Sequence, residues 1–483
     1  MHRRSLLAGL ALLCCAGCTL GPDFDRPAAP AAAGYGPTPP PDPAAGTAGE
    51  AAQRFVPGAP VPAGWWRAFG SPELDALVAE ALRHNAGLEA ARATLRQAEA
   101  LVAAGRGGFY PSLGLAAQAA RQRAEQAPAA SSPYSLRTAR LEVSYAPDLF
   151  GGTRREVEGL VAEAHRQGFE LAAAALGVSG NLINAVIEEA ALQAQLAATR
   201  EIIAVAEDSL RLSRSRLALG AVPRGEVLLQ EAEVMQRRAE LPALQKAVEA
   251  RRTLITVLLG RIPDRPLPPL PTLDALRLPE TLPVSLPSAL VRQRPDILAA
   301  EAALRAANAG IGVASANMLP RLPLTAAYGT AQAPGVDAFT PQGLIWSVAA
   351  GLTQPLFQGG RLAGQRAAAI AARDAAAARY RATVLAAFRD VADALRAIGS
   401  DAEELRARRE AARVAALSLE IARRQQRLGA ASLLEVLAAQ QADARARIAL
   451  VQATAARYSD TVALHLALGG GILTGHAPSS LPP

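Results

Sequence analysis

From Val157 onward, positions taken at alternating steps of four and three are Val161, Ala164, Gly168, Leu171, Ala175, Val178, Leu182, Ala185, Glu189, Leu192, Leu196, Thr199, Ile203, Ala206, Leu210, Ser213 and Leu217. Only Gly168, Glu189, Thr199 and Ser213 among them are not apolar. A heptad sustained this far predicts one continuous helix over about 152–219. At 1.5 Å per residue it is roughly 100 Å long, more than any globular domain needs. Gly220-Ala221-Val222-Pro223 then reverses the chain, and a second helix runs back to Leu259. Heptads alone leave open whether such hairpins make a solid coiled coil or a hollow helical barrel.

Ahead of the rod the period changes from seven to two. Leu113, Leu115, Ala117 and Ala119 line one face of a segment over about 112–122; Ala139, Leu141, Val143 and Tyr145 line one face of another over about 136–147, with Arg140, Glu142 and Ser144 opposite. The pattern returns over about 321–330, with Leu322, Leu324, Ala326 and Tyr328, and over about 343–354, with Leu344, Trp346, Val348, Ala350 and Leu352. Strands apolar on one side suit a transmembrane β-barrel. Four strands cannot close a barrel or leave bare edges in lipid, so a membrane reading demands oligomerisation; the alternative is a small soluble sheet capping a helical bundle.

The recurrence is a duplication. Leu88 to Pro111 aligns without gaps on Ile297 to Pro320 at an offset of 209 residues, and the same offset carries Leu219-Gly220-Ala221 onto Leu428-Gly429-Ala430, Glu226-Val227-Leu228 onto Glu435-Val436-Leu437, and Leu259-Gly260 onto Leu468-Gly469. A period this long is a pseudo-dimer, since solenoid repeats are far shorter. Each half reads helix, strand, strand, long helix, helix. The first helix runs from Pro72, with Ser71 as N-cap, to Arg106, and its counterpart from about Pro295 to Asn317. On the membrane reading the expected fold class is mainly α with a β-barrel membrane part. The halves span 63–262, with the long helix over about 152–219, and 288–470, with the long helix over about 360–428. A Pro-rich connector, 263–287, joins them, and 471–483 is a tail.

At the N-terminus, His2, Arg3 and Arg4 precede an apolar run from Leu6 to Leu13 and the small pair Ala16-Gly17, a signal-peptide pattern over 1–17 too short to span a membrane as a helix. Small residues before Cys18 resemble a bacterial lipobox, although Cys15 stands where Leu is usual. Cys18 is thus the expected lipidation site and mature N-terminus, holding the chain at a membrane by its acyl groups. All three cysteines lie in this segment, so no intrachain disulfide is expected. Residues 18–62, rich in Pro, Ala and Gly, read as an extended strap.

Aromatic residues make up only 4% and charged residues 19% of the 483, so the helices pack on Ala and aliphatic side chains. The net charge of +7 comes from arginines interspersed with acids, as over Arg406 to Glu410, which are solvated helix faces. No basic run is interleaved with aromatics, and no nucleic-acid partner is expected. Lys246 is the only lysine and follows Leu244-Gln245, so a P-loop is excluded. His2, His84, His165, His465 and His476 are scattered, so no metal site is assigned. Glu188-Glu189 and Glu403-Glu404 read as solvent charges, and no nucleophile motif is found, so neither catalytic residues nor a cofactor are expected.

Trp65-Trp66-Arg67-Ala68-Phe69, Leu258-Leu259-Gly260-Arg261, Leu290 to Asp296 (LVRQRPD), Ile311-Gly312-Val313-Ala314 and Pro355 to Leu362 (PLFQGGRL) together resemble the outer-membrane efflux factor family, TolC-like, in its NodT-type lipoprotein branch. The resemblance covers nearly the whole mature chain. It implies a homotrimer whose protomers each give four strands to a shared twelve-stranded barrel in outer-membrane lipid and their helices to a periplasmic α-barrel. It implies a passive duct for small molecules, completed by a periplasmic adaptor and an inner-membrane transporter. A type I-like protein secretion duct and a non-pore coiled-coil envelope lipoprotein are the alternatives. The resemblance makes the two helix reversals the adaptor-docking tip: Arg216, Leu217, Gly220 and Ala221 in one, Arg427, Leu428, Gly429, Ala430 and Ser432 in the other. It places an inward constriction at Leu434, Glu435 and Ala438, where Ala438 replaces an Asp of relatives.

Overall fold

The computed structural model describes residues 19–32, 34–36, 53–123, 133–333 and 335–471. Segment 1–17, Cys18, part of the strap, residues 124–132 between the first two long strands, residue 334 and the tail 472–483 lie outside the described residues. In chain order the elements are β1 (Arg54–Pro57), a 3-10 turn (Trp65–Phe69), α1 (Pro72–His84), α2 (Ala86–Arg106), β2 (Ser112–Gln122), β3 (Tyr134–Tyr145), α3 (Gly152–Ala218), α4 (Arg224–Leu258), β4 (Thr281–Val284), α5 (Pro287–Gln293), α6 (Pro295–Ala316), β5 (Leu324–Gln332), β6 (Leu344–Ala350), α7 (Arg361–Arg427) and α8 (Leu433–Ala467). The long pairs match residue for residue: α3 and α7 have 67 residues each, α4 and α8 have 35 each. Duplication thus extends to both hairpins and both reversals.

Every position of the α3 heptad is buried or half-buried, including the four exceptions to apolarity. Around Leu182, Ile183, Val186 and Ile187 burial spreads over more than the seam. There a belt wraps the rods: one core joins α3 to Trp65 and Phe69, to Leu74, Leu77 and Val78 of α1, to Val384, Val391 and Ile398 of α7, and to Tyr458 and Val462 of α8. Windows of α3 and α6 are apolar enough to cross a membrane by composition, yet 50% and 44% of them is buried against the protein itself.

Three features depart from the sequence-based expectation. The helix expected from Pro72 to Arg106 is broken at Asn85, whose extended backbone lets its carboxamide oxygen accept from Gly87 N–H at 3.0 Å and Leu88 N–H at 3.2 Å while its Nδ2 donates to the Leu258 carbonyl at 3.0 Å. Apolar spacing is continuous through the break, but an Asn that caps one helix and ties to another wins locally. The strap and the connector each contribute a short strand. Arg54–Pro57 pairs in parallel with Thr281–Val284, putting Phe55 and Leu282 into the belt core. Four residues are too few for a period to register. Finally, Glu189 is not a solvent charge: its side chain is 3% exposed and accepts from Arg252 Nε at 2.9 Å, whereas Glu188 pairs with Arg251 at the surface.

Candidate functional site

At one end of the rods the four longer strands form an antiparallel sheet in the order β2-β3-β5-β6. Register aligns Leu115, Leu141, Tyr328 and Trp346 in one row and Leu113, Val143, Ala326 and Val348 in the next. These rows are bare: Leu115 is 76% and Trp346 71% exposed. The opposite face carries Gly114, Glu142, Ala327 and Ser347 in one row, with Arg140 bonded to Glu142. An apolar row that none of the described residues covers is stable only against lipid or another apolar surface. Among the described residues, β2 and β6 are the open edges of the sheet.

Directly below the sheet, the described strap is pinned in a cleft between α3 and α6. Arg155, 6% exposed, donates from Nε to the Leu20 carbonyl at 3.1 Å and from Nη2 to Asp23 at 2.6 Å, and Asn308 Nδ2 donates to the Pro22 carbonyl at 2.8 Å. Gly312 makes the cleft passable, because a Cβ there would stand 2.7 Å from the Leu20 carbonyl oxygen. Thr19 therefore sits beside Gly151 at the start of α3, fixing the height of the chain just after Cys18.

The belt is locked by paired clamps. Arg294, between α5 and α6, donates to Asp296 at 2.9 Å, to Asp390 of α7 at 2.9 Å and to the Ala467 carbonyl ending α8 at 3.0 Å. Its counterpart 209 residues earlier is Asn85, and the carbonyls they hold, Leu258 and Ala467, are the same distance apart in sequence. The Trp-Trp motif closes the belt: Trp65 stacks on His465 at 4.8 Å between ring centroids, and Tyr458 donates to the Leu276 carbonyl at 2.7 Å. Burial drives the His465 pKa down, outweighing its hydrogen bond to the Thr461 carbonyl.

At the far end both hairpins reverse through the same geometry. Gly220 and Gly429 adopt φ of 67° and 74°, a region that glycine alone enters without strain. Ala221 N–H donates to the Arg216 carbonyl at 2.8 Å, and Ala430 N–H to the Gln425 carbonyl at 2.9 Å, the long-range bond of a Schellman C-cap. Arg216 and Arg427 are exposed, Leu217 is half-buried on its own hairpin, and Leu219 and Leu428 project into solvent at 83% and 76% exposure. Leu219 was legible in the sequence as part of the duplicated reversal; its outward projection is a matter of the reversal's geometry. The residues expected at a constriction follow at once: Leu434 is 69% exposed, and Glu435 and Ala438 are exposed. Glu435 closes a capping box with Ser432, its carboxylate accepting from Ser432 N–H at 2.8 Å while its own N–H donates to Ser432 Oγ at 3.3 Å.

A polar junction missed in the sequence ties one hairpin to the other above these tips. Gln441 of α8 donates to Glu233 of α4 at 3.0 Å, and Arg447 of α8 reaches Glu201 of α3 at 3.4 Å while holding Asp443 at 3.0 Å. Asp443 and Arg237 are buried there beside a cavity of about 100 Å³. Such residues look like ordinary helix-surface charges until the hairpins are side by side. Among the described residues no group of three His, Cys, Asp or Glu is placed to hold a metal ion.

A lipid-suited sheet continuous with paired helical rods of this length defines a subunit of a membrane channel with a helical extension. The chain matches the family of the outer membrane efflux protein over residues 77–261 and 286–470, one segment in each repeat, and it belongs to that family. It is 32% identical over 84% of its length to the pyoverdine export outer membrane protein OpmQ of Pseudomonas aeruginosa, covering 87% of that protein. To the outer membrane protein OprJ of the same species it is 32% identical over 94% of the chain and 93% of the relative. Among solved structures it is similar to the outer-membrane channel OprN, at a TM-score of 0.85 and 27% identity over 94% of this chain and 100% of that one. The chain is therefore an outer-membrane channel component of efflux machinery.

Proposed function

We propose that three copies of the chain, each anchored through a lipidated Cys18 exposed by signal-peptide cleavage, close into a passive duct that exports small molecules across the periplasm and the outer membrane. The observation that carries this reading is the sheet: bare apolar rows flanked by two unpaired edges, β2 and β6, are satisfied when the edge of one copy pairs with the opposite edge of the next. The trimer number rests on the family. The tips, with Leu219 and Leu428 raised beside Gly220 and Gly429, dock a periplasmic adaptor, and an inner-membrane transporter supplies the energy. Leu434, Glu435 and Ala438 form the constriction, and the Glu201–Arg447 and Glu233–Gln441 ties hold the hairpins together beside it.

Mass in detergent with single-channel conductance in planar bilayers tests this. A trimer with a small conductance that enlarges on Leu434→Ala or Glu435→Ala is expected. A monomer or dimer without conductance refutes the duct and the membrane assignment of the strands together.

A further inference from the structure

At the tips the charges do not balance. Residues 215–227 and 420–436, which contain the two reversals, carry Arg216, Arg224, Arg423, Arg424 and Arg427 against Glu226, Glu420 and Glu435, an excess of two positive charges per chain. Among the described residues none of these five arginines is held in an ion pair, whereas further from the tip Arg211 pairs with Asp208 and Arg214 with Glu231. Glu435 turns its carboxylate back onto Ser432 N–H at 2.8 Å, and Leu434 and Ala438 on either side of it carry no charge. The partial negative charge that ends α7 lies beside the partial positive charge that opens α8, so the helix ends offset each other and leave the arginines uncompensated. Three arginines line one groove. Glu420, Arg423 and Arg427 follow at steps of three and four on one face of α7, and with Ala416, Leu419 and Arg447 of α8 they line a cavity of about 260 Å³. Arg447 is engaged by Asp443 at 3.0 Å and Glu201 at 3.4 Å; Arg423, half-buried, and Arg427, exposed, are not so engaged. Like charges four residues apart on a helix repel, and an anion seated between them relieves that repulsion.

We propose that these arginines make the periplasmic mouth of the duct select anions, and that the groove of Arg423, Arg427 and Arg447 seats the carboxylate or phosphate group of an anionic small molecule as it enters. The selectivity rests on the duct reading above; the seat does not. Arg427 ends α7 and Arg423 and Arg424 stand within one turn of it, so all three lie within about 6 Å of the tip along the helix axis. Unpaired charge around a narrow mouth raises the local concentration of the opposite ion, and its reach is about 10 Å at 0.1 M salt and about 3 Å at 1 M. Closure of several copies into one mouth multiplies the excess carried by each. Arginine suits the seat better than a point charge would, because its planar fork grips a carboxylate or phosphate by two parallel hydrogen bonds.

The test compares the wild-type protein with the double variant Arg423→Gln, Arg427→Gln, by reversal potential in planar bilayers under a KCl gradient and by calorimetric titration of each protein in detergent with citrate. Arg427→Gln alone, at the exposed end of α7, carries the comparison should the double variant fail to assemble. Chloride is expected to permeate the wild-type channel several-fold more readily than potassium at low salt, the preference shrinking toward unity near 1 M, and the variant is expected to lose most of it. Citrate is expected to bind the wild type and to bind the variant at least tenfold more weakly. A wild-type channel that prefers potassium, or neither ion, overturns the selectivity, and an equal preference in wild type and variant overturns its assignment to these arginines. Equal citrate binding by both proteins, or none by the wild type, overturns the seat. Silence of every protein in the bilayer contradicts the duct and the selectivity with it, and the citrate titration then decides the seat alone.

Discussion

Replacing Arg294 by Met removes a side chain that joins the start of α6, the middle of α7 and the end of α8, while keeping its length. The guanidinium is 12% exposed and serves two carboxylates and a helix-terminal carbonyl. Removing one partner of a fully buried ion pair costs about 3–5 kcal/mol. Here Asp296 and Asp390 keep 39% and 33% side-chain exposure, and Asp390 retains Arg389 at 2.8 Å, so water and Arg389 offset part of the loss. About 2 kcal/mol from the carboxylates and about 1 kcal/mol from the orphaned Ala467 carbonyl give about 3 kcal/mol per protomer. Burial alone would raise the Asp390 carboxyl, but hydrogen bonds from Arg389 and Arg294 overcome it and hold it below its ordinary value of 3.8. Its depressed value means that the stabilisation is present above about pH 4 and disappears as acid protonates the group. Denaturant unfolding of the detergent-solubilised protein, followed by circular dichroism, should show Arg294→Met clearly less stable at pH 7 and the gap narrowed at pH 3. Arg294→Lys, with charge but no fork, should fall between. Equal stabilities at pH 7, or a gap undiminished in acid, would refute the clamp.

Three further outcomes are expected. Val348→Arg, on the bare row of the sheet, should reduce membrane assembly by about 2–4 kcal/mol, whereas Ser347→Arg, on the other face, should assemble; a heat-modifiable oligomer band on a gel separates the two, and equal bands would dissolve the lipid-face assignment. Gly429→Val strains a reversal that needs positive φ, by about 1–2 kcal/mol, and should depress export in a drug-susceptibility assay without loss of the trimer; loss of the trimer would sink the tip assignment. Cys18→Ser should abolish incorporation of labelled fatty acid, and a normally labelled band would rule out Cys18 as the acylated residue.

The elements of this protein that follow a period were legible in its sequence. Heptads over α3, alternation over the four strands and an offset of 209 residues are each repeated over many positions, so they survive the exceptions that a single site imposes. The tips were legible as well, because Gly220 and Gly429 end helices by a local backbone requirement. What no local pattern carried was the meeting of residues far apart in the chain. Glu189 was read as a surface charge because its burial depends on Arg252 and on a belt built from both termini of the described chain. Asn85 breaks an otherwise periodic helix because Leu258, 173 residues away, offers it a carbonyl. Trp65 against His465 and Glu201 against Arg447 are meetings whose chemistry begins only when the rods are laid side by side. Periodicity reports which face of an element is buried; tertiary packing alone decides what that face meets, because burial strengthens a hydrogen bond or a charge only where its partner arrives.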